Sequence, residues 1–288
     1  VRISNVEPTL ARSLAEQAVR DGVIEGNEDN CAIHYNKSGL WTTAVSWGDS
    51  RVCADIECYM TGYKDPRMSM YFLQPMTAGQ RKYIGCRAGA AIGSNVVAKR
   101  LYSTVNVQET TPSLWLTASE MAFCKAEGVL RGWNMGGGTA KEYYERGVTL
   151  SFNQWGVDGV ATYLLDDTST EANYADALGG FGGAAAKAST ITIKWDDNAS
   201  MDEKMERLIT QKWIALFPNG QEAWNEIRRT GYPRIFSVPQ ATNGYTLLTP
   251  NRIPFDKNQQ IYNRSNYDKA VELLGGPDDY ATPMWWQR

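Results

Sequence analysis

Three runs of regularly spaced apolar residues each follow a polar start that is typical of an α-helix. In each start a hydroxyl residue is followed three positions later by Glu, the arrangement of a capping box, at Thr117–Glu120, Thr139–Glu142 and Ser200–Glu203. After Thr117 the apolar residues recur at spacings of three and four as far as Gly132, a residue that favours a helix end. The pattern therefore predicts a helix over residues 118–131 and a further helix after each of the other two starts.

The predicted helices form two hairpins. The stripe after Thr139 continues to Trp155, and the short glycine-rich connection at residues 133–138 lets this helix fold back antiparallel to the preceding one. The third stripe runs to Pro218, and a following helix ends at Gly231. Large residues beside small ones on such a hairpin suit the tetratricopeptide type of helix pair.

Outside the hairpins, helical periodicity is clear only near the start of the chain. There Pro8 occupies a favourable first-turn position, and the pattern predicts an amphipathic surface helix with an apolar stripe of Leu10, Leu14, Ala18 and Val19. Residues 30–113 and 232–264 show little sustained helical period, which predicts long loops and short strands. Residues 177–188 contain four glycines and predict a flexible or tightly turned segment.

Charge and composition exclude several classes of protein. The 288 residues carry 29 Lys and Arg against 32 Asp and Glu, with no basic run long enough to bind a row of phosphates, so we expect no nucleic-acid partner. No stretch approaches the roughly 18 consecutive apolar residues of a membrane span. The single His34 excludes a metal cluster containing several His residues. The five cysteines lack CxxC spacing, and we expect most of them to be small hydrophobes in or near the core.

Motifs that could carry chemistry are weak. Gly136–Lys141 lacks the spacing of a Walker motif and Gly179–Gly183 does not match GxGxxG, so both predict turns. The adjacent acids Asp166-Asp167, Asp196-Asp197 and Asp278-Asp279 could in principle serve glycoside hydrolysis, but adjacent acids usually lie in solvated loops. We therefore predict no catalytic residue, no metal site and no cofactor, and keep a hydrolase with a loop-borne carboxylate pair as an alternative.

Aromatic residues are the more informative feature, with 10 Trp and 15 Tyr in the chain. Tyr35, Trp41 and Trp47 fall in a predicted loop among Asn, Lys, Ser and Thr, where flat rings can stack on the C–H faces of sugars. These three are our candidate glycan-binding residues, although each ring could instead fill an interface between loops and helices. The tryptophans that we expect in the core, because they lie in or beside helical stripes, are Trp133, Trp155, Trp213 and Trp224.

The segments Leu208–Phe217 and Gln221–Pro233 closely resemble the helical hairpin that marks the SusD/RagB family. Other segments resemble the same family in the same order, so that the resemblance covers essentially the whole chain. They are Arg2–Pro8, Gly62–Arg67, the Ala118–Gly132 helix with its Ala126–Gly132 end, Arg252–Asp256, and Leu273–Asp278 with Trp285-Trp286.

The resemblance implies a mainly α, SusD-like fold with tetratricopeptide-type hairpins, irregular loops and a few short strands. It also implies a lipid-anchored protein on the extracellular face of the outer membrane. Such a protein binds oligosaccharide or polysaccharide without catalysis and delivers it to a SusC-like TonB-dependent transporter. A scaffold that contacts the transporter without glycan affinity is a further alternative.

Family members are longer and begin with a lipidated cysteine and several helix pairs. We therefore expect an N-terminal helical portion of the same protein to be missing here and to be a partner of this chain. Because no linker suggests a domain boundary, we predict one SusD-like domain with successive regions. These are the end of the helical half (1–22), a loop-rich region (23–116), a hairpin (117–155), a flexible region (156–199), a second hairpin (200–231), and an extended segment with a short helix (232–288).

Overall fold

The computed structural model describes residues 1–76, 82–176, 180–239 and 249–287, and parts of the predicted loops at 30–113, 177–188 and 232–264 lie outside these ranges. The chain is mainly α, as predicted. Its α-helices are α1 (Pro8–Asp21), α2 (Gly39–Trp41), α3 (Ala54–Gly62), α4 (Met68–Tyr71), α5 (Asn95–Leu101), α6 (Ala118–Leu130), α7 (Ala140–Gln154), α8 (Val160–Leu164), α9 (Met201–Ala215), α10 (Gly220–Thr230), α11 (Lys257–Tyr262) and α12 (Arg264–Leu274). Its strands are β1 (Cys31–Ile33), β2 (Phe72–Leu73), β3 (Thr104–Val105), β4 (Ser113–Leu116), β5 (Tyr174–Ala175) and β6 (Ala184–Ala185). None of the helices in the described ranges has the length and apolar character needed to cross a bilayer.

The hairpin of α6 and α7 forms the centre of the core. A Cβ atom at Gly147 of α7 would lie 2.8 Å from the Phe123 ring of α6, so only Gly allows the two helices to approach so closely. Ser119 of α6 donates a hydrogen bond to the Gly147 carbonyl at 2.7 Å across the same contact. The predicted stripe of α7 is confirmed, because Tyr144, Val148 and Phe152 are buried.

Two of the three predicted capping boxes are complete. At the start of α7 the Thr139 hydroxyl accepts from the Glu142 backbone N–H and the Glu142 carboxylate accepts from the Thr139 N–H. The start of α9 repeats this pair of bonds. At the start of α6 only half of the box forms, since Thr117 accepts from the Glu120 N–H at 3.1 Å while the Glu120 side chain is buried. The prediction of a full box there is wrong because the carboxyl group turns into the interior.

The stripe predicted for α1 is confirmed at Val19 and wrong at Leu10, Leu14 and Ala18. Ala11 is buried, and Ala15 and Val19 pack against the core, whereas Leu10 and Leu14 are about half exposed. The helix starts at Pro8 and ends before Gly22 as predicted. Its close contact with the core is therefore made mainly by small residues, which let the helix backbone lie near its neighbours.

The prediction of only loops and short strands over residues 30–113 is wrong in part. The region contains short strands, but α3 and α5 also lie in it. Helix α3 buries residues on most of its circumference, including Asp55, Glu57, Tyr59 and Met60. A helix that is surrounded by protein needs no amphipathic stripe, so periodicity could not reveal it.

Arg67 lies at the centre of a buried polar cluster between α3 and the two hairpins. Its guanidinium donates to both carboxylate oxygens of Asp65, at 3.0 and 2.5 Å, and to the Ser151 hydroxyl at 2.8 Å. It also lies over the Phe152 ring, with Cζ 4.7 Å from the ring centroid. The charge that is removed from water is thereby paired and hydrogen-bonded, as a buried ion pair must be.

A second buried ionic cluster joins α6, α9 and α10. Arg229 donates to both oxygens of Glu127, at 2.6 and 2.7 Å, and to both oxygens of Glu226. Lys212 of α9 lies 3.3 Å from Glu226. Burial alone would raise the pKa of Glu226, but Lys212 and Arg229 outweigh it and lower that pKa to about 2.

The C-terminal segment is attached to α10 by stacked side chains. The guanidinium of Arg228 lies between two indoles, with Cζ 3.5 Å from the Trp224 ring centroid and 4.8 Å from that of Trp286. The expectation that Trp224 belongs to the core is therefore wrong, since its ring is only partly buried and its Nε1 donates to the Pro250 carbonyl. Neither α11 nor α12 contains a buried residue.

Candidate functional site

The predicted aromatic loop contains a short helical turn. The Ser38 hydroxyl accepts from the Trp41 N–H at 3.4 Å and caps α2, while the Ser38 N–H donates to the Glu109 carbonyl at 2.6 Å. The turn continues as a π-helix over Thr42–Ser46. Backbone hydrogen bonds join residues five positions apart in a π-helix and four apart in an α-helix, so a spacing of six returns to the same face in neither. Trp41 and Trp47, six positions apart, therefore leave the turn in different directions.

All three predicted aromatic residues lie at the surface. Trp47 is 58% exposed and Tyr35 is 37% exposed, while Trp41 is partly buried with the Lys37 ammonium 5.4 Å from its ring centroid. The turn separates two clefts, because Leu40 lines one and Val45 lines the other. The structure thus places the predicted rings on one surface segment without gathering them around one cleft.

The cleft beside Leu40 has the character of a small binding site, and we call it the Trp115 cleft. Its volume is about 530 Å³. One wall comes from the turn and β4, and the opposite wall from the connection that leads into α10. Its lining residues are Leu40, Ser113, Leu114, Trp115, Pro218, Asn219, Gly220, Gln221 and Glu222.

Strand pairing determines how Trp115 is presented. Strand β4 pairs antiparallel with β1, with Leu114 opposite Ala32 and Leu116 opposite Cys31. Because of a register shift between Cys31 and Ala32, the residue of β4 between Leu114 and Leu116 has no partner on β1. That residue is Trp115, whose side chain is 58% exposed. A large flat apolar surface is therefore held toward solvent at the edge of the cleft.

Polar groups line the wall of the Trp115 cleft that faces α10. Asn219 caps α10 through Oδ1, which accepts from the Glu222 N–H at 3.2 Å, and within the described residues its amide NH2 donates to no group. Gln221 donates through Nε2 to Asn225 at 3.4 Å, which leaves Oε1 as an acceptor. The Glu222 carboxylate binds Arg2 and also accepts from Asn225 at 3.0 Å. An indole face with fixed donors and acceptors nearby suits a ligand that has C–H patches and a rim of hydroxyl groups.

The paired acids of the hydrolase alternative have other roles. Asp166 accepts from the N–H groups of Thr168 and Ser169, and although burial alone would raise its pKa, these hydrogen bonds lower it. The hydrogen bond from Lys194 lowers the pKa of Asp167. The other pairs bind nearby groups. Asp196 accepts from the Asn198 N–H, Asp197 from the Trp195 indole, and Asp279 from the N–H groups of Ala281 and Thr282, while Asp278 pairs with Arg252. A general acid needs a raised pKa, the opposite of the shift at Asp166 and Asp167.

A further cleft, of about 370 Å³, contains the chemistry-bearing side chains of Glu57, Cys58 and Asp65. Within the ranges that the structure describes, no three His, Cys, Asp or Glu side chains are grouped as metal ligands. His34 is exposed. Cys58 is buried, Cys53, Cys86 and Cys124 are partly buried, and Cys31 is exposed, so the expectation that most of the cysteines lie in or near the core is met.

Trp115 is the residue of this site that sequence reasoning missed. The segment Leu114-Trp115-Leu116 is apolar throughout and does not alternate between apolar and polar residues. The nearest signal is the strand propensity of the segment, which could suggest a strand but not its exposed side. The cleft also joins residues 40, 115 and 219, which are far apart in sequence, so only the fold brings them together.

The family comparison matches nearly the entire chain. A family model described as "SusD-like: Susd and RagB outer membrane lipoprotein" matches residues 1–287. No curated protein sequence matches the chain.

Solved structures of similar fold cover all of the chain. A SusD homologue from Bacteroides thetaiotaomicron VPI-5482 has 38% identity and a TM-score of 0.93 over 100% of this chain and 62% of its own. A SusD homologue from Bacteroides uniformis has 40% identity and a TM-score of 0.91 over 100% and 62%. A chitin-binding SusD homologue from Flavobacterium johnsoniae has 39% identity and a TM-score of 0.93 over 100% and 60%. The chain thus spans about three fifths of the length of these structures.

Proposed function

The chain belongs to the SusD-like family of outer membrane lipoproteins, and we propose from this that it binds oligosaccharide or polysaccharide at the bacterial cell surface without cleaving it. The bound glycan is then delivered to a SusC-like TonB-dependent outer-membrane transporter. The same proposal places the whole protein on the extracellular face of the outer membrane, where a lipid anchor holds it. It also includes an N-terminal helical portion of the same protein that packs against this chain.

The observation that carries the proposal is the Trp115 cleft. An exposed indole lies beside the amide groups of Asn219 and Gln221, which matches the apolar face and polar rim of a pyranose ring. The cleft holds no carboxylate pair placed for acid–base chemistry, since the Glu222 carboxylate is engaged by Arg2 and Asn225. The arrangement supports binding, and the one carboxylate among the described lining residues is already paired.

The first ligand to test is a chitin oligosaccharide. One similar structure is that of a chitin-binding SusD homologue, at 39% identity over the full chain. N-acetylglucosamine combines a ring face that stacks on indole with an acetamido group that donates and accepts hydrogen bonds, so Asn219 and Gln221 are suitable partners. Neutral glucans and other bacterial-surface glycans form the comparison set.

Three tryptophans with equal exposure allow a matched experiment. Trp115 and Trp47 are each 58% exposed, and Trp285 is 59% exposed at the C-terminal end. We expect Trp115→Ala to weaken chitin-oligosaccharide binding by about tenfold or more, or ~1.4 kcal/mol, as measured by isothermal titration calorimetry. Trp285→Ala should bind as the unmodified protein does.

Trp47→Ala, together with Trp41→Ala, distinguishes the two candidate surfaces. If the residues predicted from sequence contact the same glycan, these variants lose affinity for long oligosaccharides more than for short ones, since the turn extends the surface beyond the cleft. Equal binding by all of the tryptophan variants would contradict a glycan site on either surface.

The alternatives give different results in the same assays. A hydrolase would release reducing ends, and that release would disappear on substitution of one Asp or Glu. A scaffold would bind the transporter but show no affinity for any glycan in the set. Either outcome would overturn the proposal.

A further inference from the structure

Cys53 and Cys86 lie opposite each other in an isolated parallel β-bridge. The Cys86 N–H donates to the Val52 carbonyl at 2.8 Å, and the Cys86 carbonyl accepts from the Ala54 N–H at 2.8 Å. Each cysteine comes from a different part of the chain, one at the start of α3 and the other after β2. The bridge therefore holds together two residues that are 33 positions apart in the sequence.

The geometry of the bridge suits a covalent link. Neighbouring strands lie about 4.8 Å apart, and side chains at directly paired positions of a parallel bridge project to the same face. Disulfides join Cα atoms about 4.4–6.8 Å apart, so the spacing of the bridge falls within their range. Both cysteines are only partly buried as residues.

Both thiols are held in their neutral form. The Cys53 Sγ donates to the Asp55 carboxylate at 2.9 Å. Burial, followed by the Asp55 charge, raises the pKa of Cys53 well above its usual value, and the proximity of Cys86 adds to this shift. Burial and the Asp176 charge raise the pKa of Cys86 to about 11. The pKa of Cys86 is the less raised of the two, so Cys86 is the thiol that reacts first.

We propose that Cys53 and Cys86 form an intramolecular disulfide when the protein meets a small-molecule disulfide oxidant. The Cys86 thiolate attacks one sulfur of the oxidant and expels its partner as a thiolate, which forms a mixed disulfide. The Cys53 thiolate then attacks the Cys86 sulfur and expels the second half of the oxidant. Two protons leave the protein, and the two electrons remain on the two released thiols. Proteins exposed outside the cell meet such oxidising conditions.

The disulfide would close a ring that contains α3, α4, β2 and the buried Asp65–Arg67 pair. A ring of this length restricts the unfolded chain more than the folded one, so the folded state gains stability. We expect the thermal midpoint to rise by on the order of 5 °C on oxidation. This inference uses no residue of the Trp115 cleft, but it rests on the location outside the cell that is part of the proposed function.

Oxidised glutathione is the probe for the experiment, with peptide mapping and intact mass as readouts. The oxidised protein should lose the mass of two hydrogen atoms and yield a cross-linked peptide containing Cys53 and Cys86. The reaction should accelerate from neutral to mildly alkaline buffer, because only the thiolates attack.

Cys86→Ser and Cys53→Ser provide the test variants, and Cys31→Ser provides the matched control. Serine replaces the thiol with a similar hydrogen-bond donor, so the bridge is retained. Either test variant should show no rise of the thermal midpoint on oxidation, whereas the Cys31 variant should respond as the unmodified protein does. The proposal fails if the map of the oxidised unmodified protein contains only glutathione adducts or links through Cys31 or Cys124. It also fails if the cross-link forms without any change of the midpoint.

Discussion

Arg67 is the largest fully buried side chain of the described residues. Among those residues, Asp65 is the carboxylate that forms an ion pair with its guanidinium. Removing the guanidinium leaves Asp65 charged and buried without a counter-ion. We expect Arg67→Met to lower the free energy of unfolding by about 3–5 kcal/mol in a urea titration. The double variant Asp65→Asn with Arg67→Met should cost less than the single one, because it removes both charges. A loss below about 1 kcal/mol for the single variant would contradict the role that we assign to the pair.

Glu120 produces a pH dependence of the opposite sign to that of most carboxylates. Burial raises its pKa to about 7, despite the opposing charge of Lys212. At pH values between this pKa and the ordinary Glu pKa of the unfolded chain, the folded protein binds more protons than the unfolded chain does. Stability therefore increases as the pH falls from about 7 to about 4.5. At higher pH the ionised, buried carboxylate destabilises the fold. We expect Glu120→Gln to raise the free energy of unfolding at pH 9 by on the order of 1–3 kcal/mol.

The control for this prediction is Glu272→Gln, which removes one negative charge from the exposed face of α12. Urea titrations of both variants at several pH values separate the effect of burial from the effect of net charge. If Glu120→Gln and Glu272→Gln changed stability alike at every pH, burial of Glu120 could not be the cause.

At the scale of the elements, the contact between α6 and α7 depends on Gly147. An exposed Gly→Ala substitution inside a helix usually stabilises it by about 1 kcal/mol. At Gly147 the added methyl group meets the Phe123 ring at 2.8 Å, so we expect Gly147→Ala to destabilise the fold by about 1–3 kcal/mol instead. Gly220→Ala, at the start of α10 and with no atom within 4 Å of the added Cβ, is the matched control and should be neutral or slightly stabilising. Thermal unfolding of the two variants in parallel tests the difference.

The helices that could be predicted from the sequence are those with a strong local start and one apolar face. Thr139 and Ser200 predict the starts of α7 and α9, and Pro8 predicts the start of α1. The full inward face of α1 could not be predicted, because the helix has one stripe with Ala11 and Ala15 and another with Leu10 and Leu14. Which stripe faces the core depends on the shape of the neighbouring helices. Helix α3 was not predicted, because it is buried on most sides and its sequence therefore lacks the alternation of apolar and polar residues that indicates a helix.

The candidate site shows the same limit. The composition of the segment around Trp47 predicted exposed rings, and Trp47 is indeed exposed. Trp115 instead owes its exposure to a register shift between strands that are about 80 positions apart in sequence. No local pattern records such a pairing, so the cleft followed only from the fold.

Across the whole molecule, burial is uneven. The hairpin helices α6, α7 and α9 bury apolar and charged residues alike, whereas α11 and α12 bury none. Local opening requires little loss of contact where few residues are buried. We expect backbone amides of α12 to exchange with deuterium faster than those of α6 and α7 by a factor on the order of a hundred or more, as measured by mass spectrometry of peptic peptides. Equal protection of α12 and α6 would contradict the prediction that the burial seen in this chain decides the order of exchange.

The range of tryptophan environments gives the protein an intrinsic optical signal. Trp133 and Trp195 are buried, while Trp47, Trp115 and Trp285 are largely in water, so their emission contributes the long-wavelength part of the fluorescence spectrum. A sugar ring that stacks on Trp115 displaces water from one face of the indole and shifts that contribution toward the blue. Collisional quenching by a neutral quencher would fall at the same time. The proposed glycan binding can thus be followed on the unlabelled protein, with the Trp285→Ala variant removing one exposed emitter outside the proposed site.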